Sequence, residues 1–394
     1  MMRPAKTAYV PERATAPLSI GLYTYSTQPR GSVVHCAALA EALSLAGHAV
    51  TVYALATPGA DTFYRALEPQ LVCIACDATR SSAEQRMEQR IESFARCLRE
   101  LAPAHDLHHA QDTLATNALL RARPRAGAVV RTVHHVEPFA SAALEAHQAR
   151  SIREADLVLA VSEATRADVR ARYGIESERV HNGVEAARFE RPSPGAVMQL
   201  RARIGSASAH PLVVSFGGIE PRKNTRCLLE AFVLLRERVP GARWLIVGGA
   251  SILDHSAYRA AFEQRLAELP DDTRRAVVCT GVLKEGELAA CYAIAGAVAL
   301  PSLQEGFGLC ALEALAAGVP LVASRRPPFT EYLDDECAWL VDPNDARALA
   351  DALAEALTSP RRSPRAQAGA LRASTYGWSH VAREHESLYR ELIG

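Results

Sequence analysis

Several signatures are missing from this chain of 394 residues. Its first seventeen residues, MMRPAKTAYVPERATAP, are polar and broken by proline, without the apolar core of a secretion signal. No uncharged apolar stretch is long enough to span a bilayer. The expectation is a soluble, cytoplasmic protein, with a peripheral membrane contact left open. Net charge is absent too, at 44 basic and 44 acidic residues. That balance implies neither bulk attraction to nucleic acid nor a global attraction to membranes. The nine cysteines form no framework, and most fall in apolar surroundings, as small core residues do. Cys73 and Cys76 make a lone C-x-x-C without the second pair of a zinc site. The odd count fits a reducing compartment. The dinucleotide fingerprint G-x-G-x-x-G is not found, nor is a D-x-D pair near the sites discussed below.

What is present suggests two domains, because single cores seldom grow much beyond about 250–300 residues. The most informative stretch is 295–324, AGAVALPSLQEGFGLCALEALAAGVPLVAS. Ala297–Leu300 reads as a buried strand, Gln304–Gly308 as a glycine-spaced turn and Leu309–Ala317 as a helix. Gly318 and Pro320 stop that helix, and Pro320–Ser324 begins another buried strand. Strand, loop, helix, strand is the grammar of an open parallel sheet. Two carboxylates stand out. Glu313 lies inside an apolar helix, where an unpartnered charge is expensive. Glu305 precedes a helix start, whose free N–H groups favour an anion. The flanking glycines let a ligand approach the backbone closely. A polar ligand held by two acceptors and a helix start accounts for all of this. A capped helix with one solvated glutamate is the plainer alternative.

In the first half, Leu18–Tyr25 reads as a strand, Val33–Leu45 as a helix and His48–Leu55 as a second strand, a Rossmann-like opening. Gly31 and Ser32 open the helix, where backbone could meet a phosphate or a sugar. Ser82–Leu101 is a long mixed helix. Residues 105–112, HDLHHAQD, read as a strand and a polar turn carrying three histidines. A metal, an acceptor-side wall and ordinary strand-end histidines are the competing readings. Ala128–Val133 is an inner strand ending in His134 and His135, at the strand end where α/β proteins gather ligands. His134 could donate a hydrogen bond to a sugar or phosphate oxygen. Asn182-Gly183 marks a tight turn before a linker-like stretch, with the domain boundary near residue 190.

In the second half, Pro211–Phe216 is a new first strand. Gly217 and Gly218 permit a close phosphate approach, Lys223 with Arg222 beside it supplies positive charge, and a helix begins at Thr225. A solvated charged loop is the alternative. Ala242–Gly248 and Ala276–Gly281 are further strands, and Glu285–Ile294 and Ala346–Leu357 further helices. Ser374–Leu392 is a final amphipathic helix.

The motif EGFGLCALE, with glutamates eight residues apart, resembles the glutamate signature of the retaining GT-B glycosyltransferases of family four, the glycosyl transferases group one. That resemblance runs through roughly 18–392. It implies an α/β protein of GT-B architecture, two Rossmann-like domains facing a central cleft. The domains would be an acceptor-side 18–190, a nucleotide-sugar-binding 191–373, and a last helix in 374–394 crossing back to the first. It implies a nucleotide diphosphate sugar as co-substrate, no cofactor or metal, and transfer of a hexose with retention to an acceptor hydroxyl. Glu313 would hold the ribose hydroxyls and Glu305 the sugar hydroxyls. Lys223 and Arg222 would stabilise the departing diphosphate. Gly31, Gly217, Gly218, Gly306, Phe307 and Gly308 would line the donor, Val282 would meet the base, and His134 would position sugar and acceptor. His134, Lys223 and Glu305 are the catalytic candidates. The acceptor, whether small molecule, glycan or lipid, and the oligomeric state are not specified, and no nucleic-acid partner is expected. Four departures stand out. Gly218 replaces the usual arginine, Ser32 the second glycine, His135 an aspartate, and RRPPFTE a glycine-rich connection. A sugar-nucleotide-binding protein without catalysis is the main alternative, ahead of a phosphorylase or an NAD enzyme.

Overall fold

The computed structural model describes residues 16–56, 62–76, 82–124, 126–205, 211–249 and 255–394. Seven strands form the first sheet: β1 (Ser19–Thr24), β2 (Ala49–Ala56), β3 (Gln70–Ala75), β4 (Leu107–Ala110), β5 (Ala128–Val133), β6 (Leu157–Ala160) and β7 (Glu178–Arg179). They are all parallel, in the order β3-β2-β1-β4-β5-β6-β7. Between them run α1 (Gly31–Leu45), α2 (Ala83–Leu101), α3 (Thr113–Ala122), α4 (Ala142–Arg153) and α5 (Glu163–Tyr173). Two short helices follow, α6 (Ala187–Glu190) and α7 (Pro194–Arg203).

The second sheet contains β8 (Leu212–Phe216), β9 (Arg243–Val247), β10 (Val277–Gly281), β11 (Ala297–Leu300), β12 (Leu321–Ser324) and β13 (Trp339–Val341). Its order is β10-β9-β8-β11-β12-β13, again all parallel. The helices of this half are α8 (Thr225–Arg238), α9 (Ser256–Ala267), α10 (Asp271–Arg275), α11 (Glu285–Ile294), α12 (Leu309–Ala316), α13 (Phe329–Tyr332), α14 (Ala346–Thr358) and α15 (Pro364–Ser374). Last comes α16 (Trp378–Ile393). Each sheet reverses direction of growth once, between β1 and β4 and between β8 and β11. Crevices outside the carboxyl ends of such strands are where open α/β sheets bind ligands.

Both faces of each sheet are covered, so the strands read as near-continuous apolar runs. On the first sheet, Ile20 and Leu22 point toward α1 and α16, whereas Tyr23, Tyr53 and Leu55 pack toward α2 and α3. Helix α1 is buried along much of its length, and its alanines and Cys36 let it lie close between the sheet and α16. Among the described residues, no helix is long and apolar enough to cross a membrane.

Two stretches differ from the sequence expectation. The 105–112 stretch is strand β4 followed by a polar bend, as expected, but the sequence reading did not mark helix α3 directly after it, which Asp112 caps by accepting from the Ala115 N–H at 2.8 Å. The three histidines there serve packing and backbone: His105 bonds Ser19 and Tyr53, His108 bonds Tyr23 and the Ala126 carbonyl, and His109 bonds Tyr389 and Thr132. The terminal amphipathic stretch is not one helix from Ser374. Helix α15 ends there, and the chain crosses to the first sheet through Tyr376 and Gly377 before α16 begins. The Val184 N–H donates to the Tyr376 carbonyl at 2.7 Å at this crossing.

Asn182-Gly183 lies under that crossing. A Cβ on Gly183 would sit 2.6 Å from the Trp378 ring and 3.0 Å from its backbone. Gly183→Ala therefore overpacks the junction, and a loss of about 1–3 kcal/mol is expected, read as a lowered urea midpoint. An unchanged midpoint would show that α16 yields without cost.

Candidate functional site

The carboxyl ends of the two sheets meet at the loop 301–308. Backbone and side-chain contacts make the seam. A Cβ on Gly306 would lie 1.6 Å from the His134 carbonyl oxygen, so the two backbones touch where only glycine fits. The Ser162 hydroxyl donates to the Gly306 carbonyl at 2.7 Å. The Glu331 carboxylate accepts from the Glu163 and Ala164 N–H groups at 2.8 and 2.9 Å, at the start of α5. His134, from the end of β5, thus sits beside the loop that carries Glu305.

Glu305 is almost buried, with 8% of its side chain exposed. It does not cap α12, as its place before that helix had suggested. Its carboxylate pairs with Lys223, accepts from Arg222 at 3.2 Å and from the Ser302 hydroxyl at 2.9 Å. Burial alone would raise its pKa, but Lys223 and Arg222 outweigh that and hold it below the ordinary 4.5. Helix α12 begins at Gly308, at φ 92°, with no side chain capping it and no acidic residue in its first turn.

Lys223 reaches Glu305 across Gly217. A Cβ there would lie 2.4 Å from the lysine Cε. Gly218 has φ 75°, and a Cβ on it would meet the Gly249 carbonyl at 2.7 Å. An arginine at that position is incompatible with this backbone. Arg222 supplies a guanidinium nearby, 39% exposed and 3.0 Å from Glu220.

Glu313 accepts from the Tyr292 hydroxyl at 2.7 Å. Burial raises its pKa above the ordinary carboxylate value, with the tyrosine bond working in the opposite direction. Tyr292, on α11, was not singled out in the sequence, and only the expense of an unpartnered Glu313 signalled such a residue. The Phe307 ring is buried and stacks on Tyr332 at 4.8 Å, so its backbone alone can meet a ligand. Val282 is 52% exposed beside Gly249. Gly31 opens α1 with free space where a Cβ would be and no side-chain cap behind it. Burial, with His35 and Arg131 nearby, holds His134 well below the ordinary histidine value, hence neutral. The sequence reading also missed Ser162 and Glu331, whose partners lie in the other half of the chain. Among the described residues, no three His, Cys, Asp or Glu side chains converge as metal ligands would.

Two Rossmann-like domains facing a cleft across such a seam define the GT-B fold. Solved structures agree. HepE from Anabaena, in complex with UDP and glucose, superposes with a TM-score of 0.71 at 17% identity, over 95% of this chain and 100% of that one. Sucrose-phosphate synthase from Thermosynechococcus elongatus gives 0.74 at 23%, over 95% and 98%. At these identities the likeness is one of fold.

Two family descriptions match the sequence, Glycosyltransferase Family 4 over 29–188 and Glycosyl transferases group 1 over 198–371. A D-inositol 3-phosphate glycosyltransferase of Saccharomonospora viridis is 31% identical over 73% of this chain and 70% of its own. One from Xylanimonas cellulosilytica is 31% identical over 67% of this chain. A GDP-mannose-dependent phosphatidylinositol monomannoside mannosyltransferase of Mycolicibacterium smegmatis is 34% identical over 58%. The chain spans 66% and 61% of the length of the last two relatives. It belongs to the family-four, group-one glycosyltransferases.

Two outcomes follow from the site geometry. Gly306→Ala pushes the sheets apart at the seam. A larger radius of gyration in small-angle scattering is expected, and an unchanged radius would mean that the contact relaxes locally. Glu305→Gln leaves Lys223 without its anion, at a cost of about 3 kcal/mol near neutral pH. Because the folded pKa is depressed, the stability from Glu305 is full above the ordinary 4.5 and is lost as pH falls through the lower folded value. Urea midpoints of wild type and variant should therefore converge on acidification, and a gap that persists in acid contradicts the assignment.

Proposed function

We propose that the protein is a retaining glycosyltransferase that moves a hexose from a nucleotide diphosphate sugar to an acceptor hydroxyl, in the cytoplasm, without a metal. The observation that carries this reading is the triad of buried Glu305, Lys223 and half-exposed Arg222 at the uncapped start of α12. A helix start beside two cations suits a diphosphate.

In this reading the Glu313 carboxylate accepts from the ribose hydroxyls, with Tyr292 holding it in place. The glycine backbone around Gly217, Gly218 and Gly306–Gly308, bare of side chains except for the buried Phe307, lets the diphosphate approach, and Val282 meets the base. As the bond from anomeric carbon to phosphate oxygen breaks, charge builds on the diphosphate. Lys223, Arg222 and the α12 N–H groups stabilise that charge where it develops. The acceptor oxygen attacks from the face that the diphosphate leaves, and the departing phosphate oxygen takes its proton. A covalent role for Glu305 is disfavoured, because two cations and a serine hydroxyl already engage its lone pairs. His134 and the Gly31 loop position sugar and acceptor. Closure along the Gly306 seam excludes water and favours transfer over hydrolysis. The relatives act, by name, on inositol phosphate and phosphatidylinositol acceptors, and a polyol of that type is a first acceptor to try.

A panel of nucleotide diphosphate sugars titrated calorimetrically, with excess chelator, tests the reading. One donor should bind, and Glu313→Ala should abolish that binding. Lys223→Ala should lower the transfer rate by about 10²–10³-fold, the scale of losing one group that stabilises the transition state. If no donor binds the wild type, the site assignment falls. If a donor binds but reaches no acceptor in a broad screen, a binding protein without catalysis replaces it.

A further inference from the structure

A buried line of polar groups runs from His134 to the last helix. His134 Nε2 lies 3.1 Å from Gln111 Oε1. Gln111 Nε2 lies 3.2 Å from His109 Nε2, and His109 Nδ1 lies 2.6 Å from the Tyr389 hydroxyl on α16. The Thr132 hydroxyl approaches His109 Nε2 at 2.7 Å. Gln111, His109, Thr132 and Tyr389 are each at most 1% exposed. Gln111 is anchored from behind, its N–H donating to the Tyr23 carbonyl at 2.9 Å, just past the end of β4.

The orientation of the Gln111 amide sets the protons of this line through its donor and acceptor inventory. An amide nitrogen only donates, so His109 Nε2 must offer its lone pair to Gln111. Burial holds His109 neutral, so its one proton sits on Nδ1, where the Tyr389 oxygen accepts it. An amide oxygen only accepts, so His134 Nε2 must carry a proton. His134, also neutral, is left with an unprotonated Nδ1, which has no hydrogen-bond partner among the described residues.

We propose that Gln111 is a positioning residue that locks His134 in its Nε2–H form, so that His134 Nδ1 accepts a hydrogen bond from a hydroxyl of the donor sugar. The ligand in this statement rests on the glycosyltransferase reading; the protonation state does not. The direction is the reverse of the one expected from the sequence, where His134 was to donate. A lone pair at Nδ1 takes an O–H and repels a phosphate oxygen. It therefore assigns the sugar, rather than the diphosphate, to the His134 side of the cleft.

Long-range proton–nitrogen correlation spectra of the full chain, with nitrogen-15-labelled histidine, read this directly. His134→Gln identifies the signal by its loss. In the wild type, His134 should show a protonated Nε2 and a bare Nδ1, and a protonated Nδ1 would overturn the proposal. Gln111→Leu should release the ring into a mixture of the two forms and weaken donor binding roughly tenfold, the scale of one uncharged hydrogen bond. Gln111→Glu keeps an accepting oxygen beside Nε2 and should restore the Nε2–H form. An unchanged His134 spectrum in Gln111→Leu would also defeat the proposal. If the wild type binds no sugar nucleotide, the functional reading fails, and the spectra still decide what Gln111 does.

Discussion

The architecture depends on one backbone contact, the approach of Gly306 to the carbonyl of His134. No side chain fits between them, so the carboxyl ends of the two sheets come together at their nearest permitted distance. Ser162 and Glu331 add hydrogen bonds along the same line. Each such bond contributes only about 0.5–1.5 kcal/mol net, more where a carboxylate accepts. The seam is therefore closed but shallow. Its hydrogen bonds together contribute no more than a few kcal/mol, roughly the scale on which ligands shift populations.

Charge inside the cleft is balanced before any ligand arrives. Lys223 and Arg222 face Glu305, and Arg222 also faces Glu220. On the proposed function, an incoming anion would compete with Glu305 for these cations rather than fill an empty site, so their pull on it would be smaller than that of two free cations. Glu313 contrasts with this. Its side chain accepts from a neutral tyrosine hydroxyl, and burial raises its pKa against the pull of that bond and of Arg188. Two glutamates of one motif thus end in opposite electrostatic surroundings.

Much of this was legible in the sequence. Apolar runs marked β5 and β11 to the residue, because strands buried on both faces carry little polar alternation to confuse them. The glutamate spacing brought Glu305 and Glu313 into view, and the glycine loop brought Lys223. What stayed hidden was set by partners distant in the chain. Nothing local tells that Tyr292 would meet Glu313, that Glu331 would cap a helix of the other domain, or that three histidines near residue 108 would be absorbed into packing. Helix α3 escaped notice because it is short, Thr113–Ala122, and its start depends on the Asp112 cap. The arginine expected at Gly218 is excluded by a backbone conformation that only the folded chain reveals.

The crossing of α16 onto the first sheet bears on how the chain reaches this state. Val381, Ala382 and Tyr389 complete a core whose other members, from Leu18 to Val180, leave the ribosome before the second sheet has been made. Domains of long chains generally form as units during synthesis, the earlier one first. Here the earlier unit stays unsealed along the groove beside α1 until a segment translated after an entire intervening domain returns to fill it. Its nascent form exposes apolar surface for that interval, so chaperone demand during translation should concentrate on the half of the protein that is made first.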